Sequence, residues 1–193
     1  MKHITLLGDS IRLGYQDTVK TTLKEQAEIW SPDDNCMHSI HHLFNLAWYL
    51  ERPADVIHFN FGLWDCRRLG RNRTENAVPV EVFTRNLDFI LEKVKAGTRA
   101  TLIWATITPV VQERYNARFN QPFDPCRIAS DVDLYNAAAA PILQKHQIQV
   151  NDLNAYVTQR GPELMICDDG VHYTAEAYQE LGQRVAEQIR CGF

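Results

Sequence analysis

Short apolar runs alternate with longer amphipathic stretches along this chain. Residues 4–7 (ITLL), 54–61 (ADVIHFNF) and 101–105 (TLIWA) are compact and rich in β-branched or aromatic residues, so they predict buried strands. Residues 28–30 are a weaker candidate and 148–150 a short fifth. Between them lie helical patterns at about 13–26, 38–50, 80–96, 131–146 and 174–190. The last is the clearest: Ala177, Tyr178, Leu181, Val185 and Ile189 recur on one face, and Thr174 stands where an N-cap belongs. Strands that alternate with helices and are apolar along their length predict a parallel sheet covered on both faces. The simplest such fold is three-layer α/β/α and flavodoxin-like, with five strands in the order 2-1-3-4-5. No repeat or linker divides residues 1–193, which therefore read as one domain. The stretch 110–130 breaks the rhythm, being polar, Pro-containing and too long for an ordinary connection, and is expected to form a lid.

Composition narrows the function. The formal net charge of −4 leaves no broad basic face for nucleic acid. No apolar run approaches a membrane span. Met1-Lys2-His3 leads straight into the first strand without a signal-peptide pattern. The five cysteines (36, 66, 126, 167 and 191) are odd in number and form no C-x-x-C pair, which points to a reducing, cytoplasmic setting. His38, His41 and His42 have helical spacing but no acidic or cysteine companion nearby, so they read as a solvated helix face and no metal or cofactor is expected. Nothing in the sequence sets an oligomeric state.

An open parallel sheet binds ligands beyond the carboxyl ends of its strands, where the strand order reverses. The first strand ends in Gly8-Asp9-Ser10, the third in Gly62-Leu63-Trp64-Asp65, and the loop before the last helix carries Asp168-Asp169-Gly170-Val171-His172. One edge thus collects a hydroxyl, an imidazole and carboxylates, the parts of an acyl-transfer site. A serine hydroxyl needs an imidazole to remove its proton, and the imidazole needs a carboxylate to fix its tautomer. Asp169 precedes His172 by three residues with Gly170 between, a spacing that lets the carboxylate fold back onto the ring. Asp168, directly beside it, should point elsewhere. Asp9 is expected to hold its loop through backbone hydrogen bonds, and the N–H of Ser10, near a helix N-terminus, to serve a developing oxyanion.

These three blocks, in this order, resemble the GDSL/SGNH hydrolase family. The resemblance spans almost the whole chain, from Leu6 to Leu181. It implies ester hydrolysis through an acyl-enzyme, with Ser10 as nucleophile, His172 as base and Asp169 as orienter. A small acyl group on a polar or carbohydrate substrate is expected, because a lid and an open edge without a large apolar patch suit it better than a long lipid. The family's third block normally reads G-x-N-D, whose Asn donates to the oxyanion. Here Trp64 takes that place, and Asn60-Phe61-Gly62-Leu63-Trp64-Asp65 resembles a branch with G-L-[HW]-D. The second block lacks its glycine, because none occurs between Gly14 and Gly62. Replacement donors are sought in the N–H of Cys36 and the amides of Asn35 or Asn60, with Asn60, Gly62 and Trp64 on one side of the strand. The expected oxyanion set is then Ser10, Cys36, Asn35, Asn60 and Gly62, with the Ser10 and Cys36 N–H groups converging beside the hydroxyl.

Trp64, Asp65 and Arg67 are candidate substrate contacts, although Asp65 also reads as a structural partner of its own loop. Arg67, Arg68, Arg71 and Arg73 read first as a solvated loop and second as an anion-binding rim. Trp48, Trp64 and Trp104 read as core or wall. A ligand-binding module on the same fold, an acyltransferase, and a flavodoxin-like nucleotide domain are the rival readings. The last lacks a phosphate cradle after the first strand.

Overall fold

The computed structural model describes residues 1–69 and 74–193. Five parallel strands form the central sheet: β1 (Lys2–Leu7), β2 (Ala27–Trp30), β3 (Val56–Phe59), β6 (Thr101–Ala105) and β7 (Gln149–Asn151). A two-stranded ribbon, β4 (Arg68–Leu69) and β5 (Glu75–Asn76), interrupts the count between β3 and β6. The sheet order is β2-β1-β3-β6-β7, which among the five sheet strands is the expected 2-1-3-4-5. Every residue of β3 is buried, whereas Gln149 and Val150 of the edge strand β7 are exposed. A strand covered on both faces has no polar side to show. His58, in the middle of β3, pairs with Asn151 at 3.2 Å, and burial pushes its imidazole down to about 3, so it is a neutral core group.

Eight helices pack around the sheet among the described residues. One layer is formed by α1 (Ser10–Leu23) and α8 (Ala175–Arg190), the other by α2 (Ser39–Leu50), α3 (Val80–Gly97) and α5 (Ala129–Lys145). Shorter helices α4 (Gln112–Arg118), α6 (Leu153–Arg160) and α7 (Pro162–Met165) occupy connections that carried no helical expectation. α8 buries Ala177, Leu181, Gly182, Val185, Ala186 and Ile189, with Thr174 accepting from the Ala177 N–H as its cap. Two glycines let α1 and α8 approach closely. A Cβ at Gly14 would fall 2.1 Å from the Tyr178 ring, and one at Gly182 would fall 2.5 Å from Thr18.

Several sequence expectations shift. α1 starts at Ser10 rather than near residue 13, because Asp9 accepts the Ile11 N–H at 3.0 Å and caps the first turn. The stretch 110–130 contains α4 and contributes a wall of the cleft described below. The histidine triplet is not a solvated face: His38 accepts the His41 N–H as the cap of α2, and His42 is buried against Phe61 at 4.7 Å. Burial holds His42 down at about 3, hence neutral. Trp104 is core, Trp48 is partly exposed, and Trp64 lines the cleft.

Candidate active site

The reversal of strand order places the ends of β1 and β3 side by side, and the turn after β1 begins the site. Gly8 permits that turn: an added Cβ would meet the Asn60 side chain at 2.1 Å and the Arg12 Cβ at 2.7 Å. Asp9 follows, fully buried; burial raises its carboxyl, while the Ile11 N–H, Arg127, Asn60 and Arg12 pull the other way. Ser10 is then the first residue of α1. A first-turn N–H has no intrahelical acceptor, so the Ser10 amide stands at the positive end of the helix, next to its own hydroxyl.

The second half comes from the loop before α8. His172 Nε2 lies 2.8 Å from Ser10 Oγ, and His172 Nδ1 lies 2.6 Å from Asp169 Oδ2. Asp169 Oδ1 also accepts the N–H groups of Val171 and His172, each at 2.9 Å. Burial alone would raise this carboxyl, but those three donors outweigh it and hold Asp169 below the ordinary carboxylate value. An ionised Asp169 fixes the proton of His172 on Nδ1 and leaves Nε2 to accept from the serine hydroxyl. Gly170 shapes the loop with a φ of +78°, and a Cβ there would strike Val111 O and Tyr115 N at 2.5 Å. Its carbonyl accepts the Val111 N–H at 2.9 Å, which ties the loop to the start of α4. Asp168 is exposed and takes no part in this chain.

The expected oxyanion set is rearranged. The Cys36 N–H donates to the Gly8 carbonyl at 3.1 Å, so it is spent within the backbone and does not converge with the Ser10 N–H. The Asn35 Oδ1 accepts the Met37 N–H at 2.8 Å, which leaves its NH2 free to donate. Asn60 packs on Gly8 and bears on the Asp9 carboxyl rather than on open space. Gly62 has a φ of +125°, and its α-carbon faces Ile107 and Phe83, a packing position. Asp65 is no substrate contact: it is fully buried and accepts the Ser39 N–H at 3.0 Å and the Ser39 hydroxyl. That burial pushes its carboxyl up to about 6 against the pull of Ser39.

A cleft of about 350 Å³ opens beside Ser10, lined by Leu63, Trp64, Arg67, Tyr115, Phe119 and Arg127 among others. Arg67 and Trp64 therefore stand where a substrate would lie. Arg68 does not: it pairs with Asp131 at 2.7 and 2.8 Å and anchors the ribbon. Arg71 and Arg73 lie outside the described residues. Tyr115 and Arg127 carried no expectation, since they sit in a polar, irregular stretch more than a hundred residues from Ser10, and only its unusual length signalled them. Among the described residues no group of three or more His, Cys, Asp or Glu side chains could hold a metal ion. No described helix is long and apolar enough to cross a membrane.

This sheet, with these loops at its carboxyl edge, is the α/β fold of the GDSL/SGNH hydrolases. Solved structures of that class superpose along almost the entire chain. A lipase/acylhydrolase from Enterococcus faecalis matches with a TM-score of 0.78 at 20% identity, over 99% of this chain and 96% of that one. An acetyl xylan esterase matches with a TM-score of 0.73 at 15% identity, over 97% and 99%. A member of the lipolytic G-D-S-L family from Veillonella parvula gives 0.66 at 15% identity, over 96% of each chain. No protein-family model matches the sequence, and neither does any curated protein.

Proposed function

We propose that this chain is a serine esterase in which Ser10 is the nucleophile, His172 the general base and Asp169 its orienter. The unbroken hydrogen-bonded chain from Asp169 through His172 to the Ser10 hydroxyl, at the mouth of an open cleft, is the observation that carries this reading. His172 Nε2 takes the hydroxyl proton as Ser10 Oγ bonds to the ester carbonyl carbon, and the carbonyl π pair moves onto oxygen. The Ser10 N–H receives that charge, with Asn35 as the side-chain donor, because Cys36 beside it is bonded to Gly8 next to the nucleophile's turn. Collapse breaks the bond to the leaving alkoxide, which takes the proton from His172. Water, deprotonated by His172, then cleaves the acyl-enzyme and Ser10 regains its proton. The steps call on no metal or cofactor.

The cleft supports a reading of the substrate class. Its modest volume suits a small acyl group, and its mixture of arginines with Trp64, Tyr115 and Phe119 suits a polar or carbohydrate alcohol rather than a long lipid. The fold shared with an acetyl xylan esterase supports the same choice. We read 110–130 as the lid of that cleft, within a single domain. The occupied Cys36 N–H favours one rival, a ligand-binding module that keeps the site without turnover. Labelling by a serine-directed fluorophosphonate decides between them. Modification of the wild type but not of Ser10→Ala, with hydrolysis of an acetyl ester, supports the esterase; an unlabelled wild type would sink it.

A further inference from the structure

The arginines that line the cleft are unlike the arginines that hold the fold. Arg12, completely buried, is saturated by acceptors: it donates to Gln16 Oε1 at 2.6 Å, to the carbonyl of Pro32 at 2.8 Å and to that of Asp34 at 2.6 Å, and also reaches Gly8. Arg68 has the carboxylate of Asp131. Arg127 is only 5% exposed, yet among the described residues its guanidinium makes one hydrogen bond, from Nη1 to the Leu63 carbonyl, and its Nε is buried without a partner. Arg67 also has a buried, unpartnered Nε. Neither Arg67 nor Arg127 has a carboxylate within 4 Å among the described residues.

Aromatic rings support both cations. The Arg67 guanidinium lies 4.2 Å from the centre of the Trp64 ring, and that of Arg127 lies 5.3 Å from that of Tyr115. Stacking fixes the plane of a guanidinium while leaving its N–H edge free, the geometry that matches a carboxylate or similar oxyanion. The two charges also oppose each other: burial first, and then Arg127, hold Arg67 below the ordinary arginine value. The buried Asp9 carboxyl offsets Arg127 in part, but a second cation packed beside it is costly to bury unless a ligand supplies further negative charge. We propose that Arg67 and Arg127 form an anion-recognition pair, and that the natural substrate is an ester carrying a negatively charged group held between them beside Ser10.

This inference rests on the esterase reading for its chemistry but not for its binding test. Two matched ester pairs are compared by kcat/KM: p-nitrophenyl butyrate with mono-p-nitrophenyl succinate, and phenyl acetate with para-acetoxybenzoate. In at least one pair the charged member should be preferred by about 10- to 100-fold, the range of one charge-assisted hydrogen bond, and added NaCl should shrink that preference. Arg67→Gln, at a half-buried position, should lower kcat/KM for the charged ester far more than for its neutral partner, so that the preference is lost, and Arg127→Lys should retain part of it. Calorimetry on Ser10→Ala protein should show binding of para-acetoxybenzoate and not of phenyl acetate. Charged-ester binding without turnover or fluorophosphonate labelling would fail the esterase reading and leave the anion site standing. The anion site itself is overturned if the wild type shows no charge preference in rate or binding. It is equally overturned if Arg67→Gln slows charged and neutral esters alike, which would assign the arginine to the oxyanion or the fold.

Discussion

The two sides of the cleft are built on opposite principles. On one, Ser10, His172 and Asp169 sit at the ends of packed elements, and every polar atom of the Asp169 carboxylate has a donor. On the other, Arg67 and Arg127 rest on aromatic rings with donors left over. A saturated network holds one geometry; an unsaturated one waits for a partner. On the functions proposed above, the contrast separates a side that would do chemistry on any bound ester from a side that would choose which ester is bound.

The hardest test of the first side is Ser10→Ala, which should lower esterase turnover by about 10⁴-fold or more with an unchanged circular dichroism spectrum. Retention of a tenth of wild-type turnover would remove Ser10 from its role. Asp169→Asn should come next, at about 10²- to 10⁴-fold, because an amide cannot hold the same tautomer of His172. The exposed Asp168→Asn should change kcat by less than about threefold, the size of a loss that involves no transition-state contact; the reverse ranking would move the orienting role one residue. Asn35→Ala should cost about 10- to 100-fold in kcat with little change in KM if its free NH2 meets the oxyanion, and Asn60→Ala, measured beside it, should act on stability instead. A larger kcat loss in Asn60→Ala would exchange the two assignments.

The smallest effect concerns Asp65, the carboxylate behind both sides. Its carboxyl is raised to about 6 in the folded protein from an ordinary value of 3.8, so the folded state favours the protonated form. The contribution it makes to stability is therefore complete below pH 3.8 and is lost as pH rises through 6. Urea denaturation of wild type and Asp65→Asn across this window should show the wild type losing stability relative to the variant as pH rises. Parallel curves would mean that Ser39 holds the ionised form without penalty.

The first side was legible in the sequence because its residues depend on local rules. A strand that ends in Gly8-Asp9-Ser10 must turn into a helix at the sheet edge, and Asp169 reaches His172 through one glycine turn. The order of the five sheet strands was readable for the same reason, since apolar runs between amphipathic helices leave few topologies. The second side was not. Whether the Cys36 N–H is free depends on the Gly8 carbonyl 28 residues earlier, and periodicity carries no record of such a bond. Arg127 meets Leu63 and Tyr115 through an irregular stretch whose path no turn signal specifies. Arg67 and Arg68, neighbours in an apparently uniform basic loop, go to a cleft and to Asp131 respectively, a division made by the ribbon and invisible without it.

The glycine notches between α1 and α8 give this scaffold a ruler. Ser10 opens one of those helices, and His172 stands three residues ahead of the other. The distance between the Ser10 hydroxyl and the His172 ring is thus a reading taken from how far two helix axes can approach. Gly14 against Tyr178 and Gly182 against Thr18 set that reading from behind the reaction. A methyl group added at either notch would touch no reacting atom. It would lever the helices apart and lengthen the 2.8 Å span across which the proposed proton transfer runs.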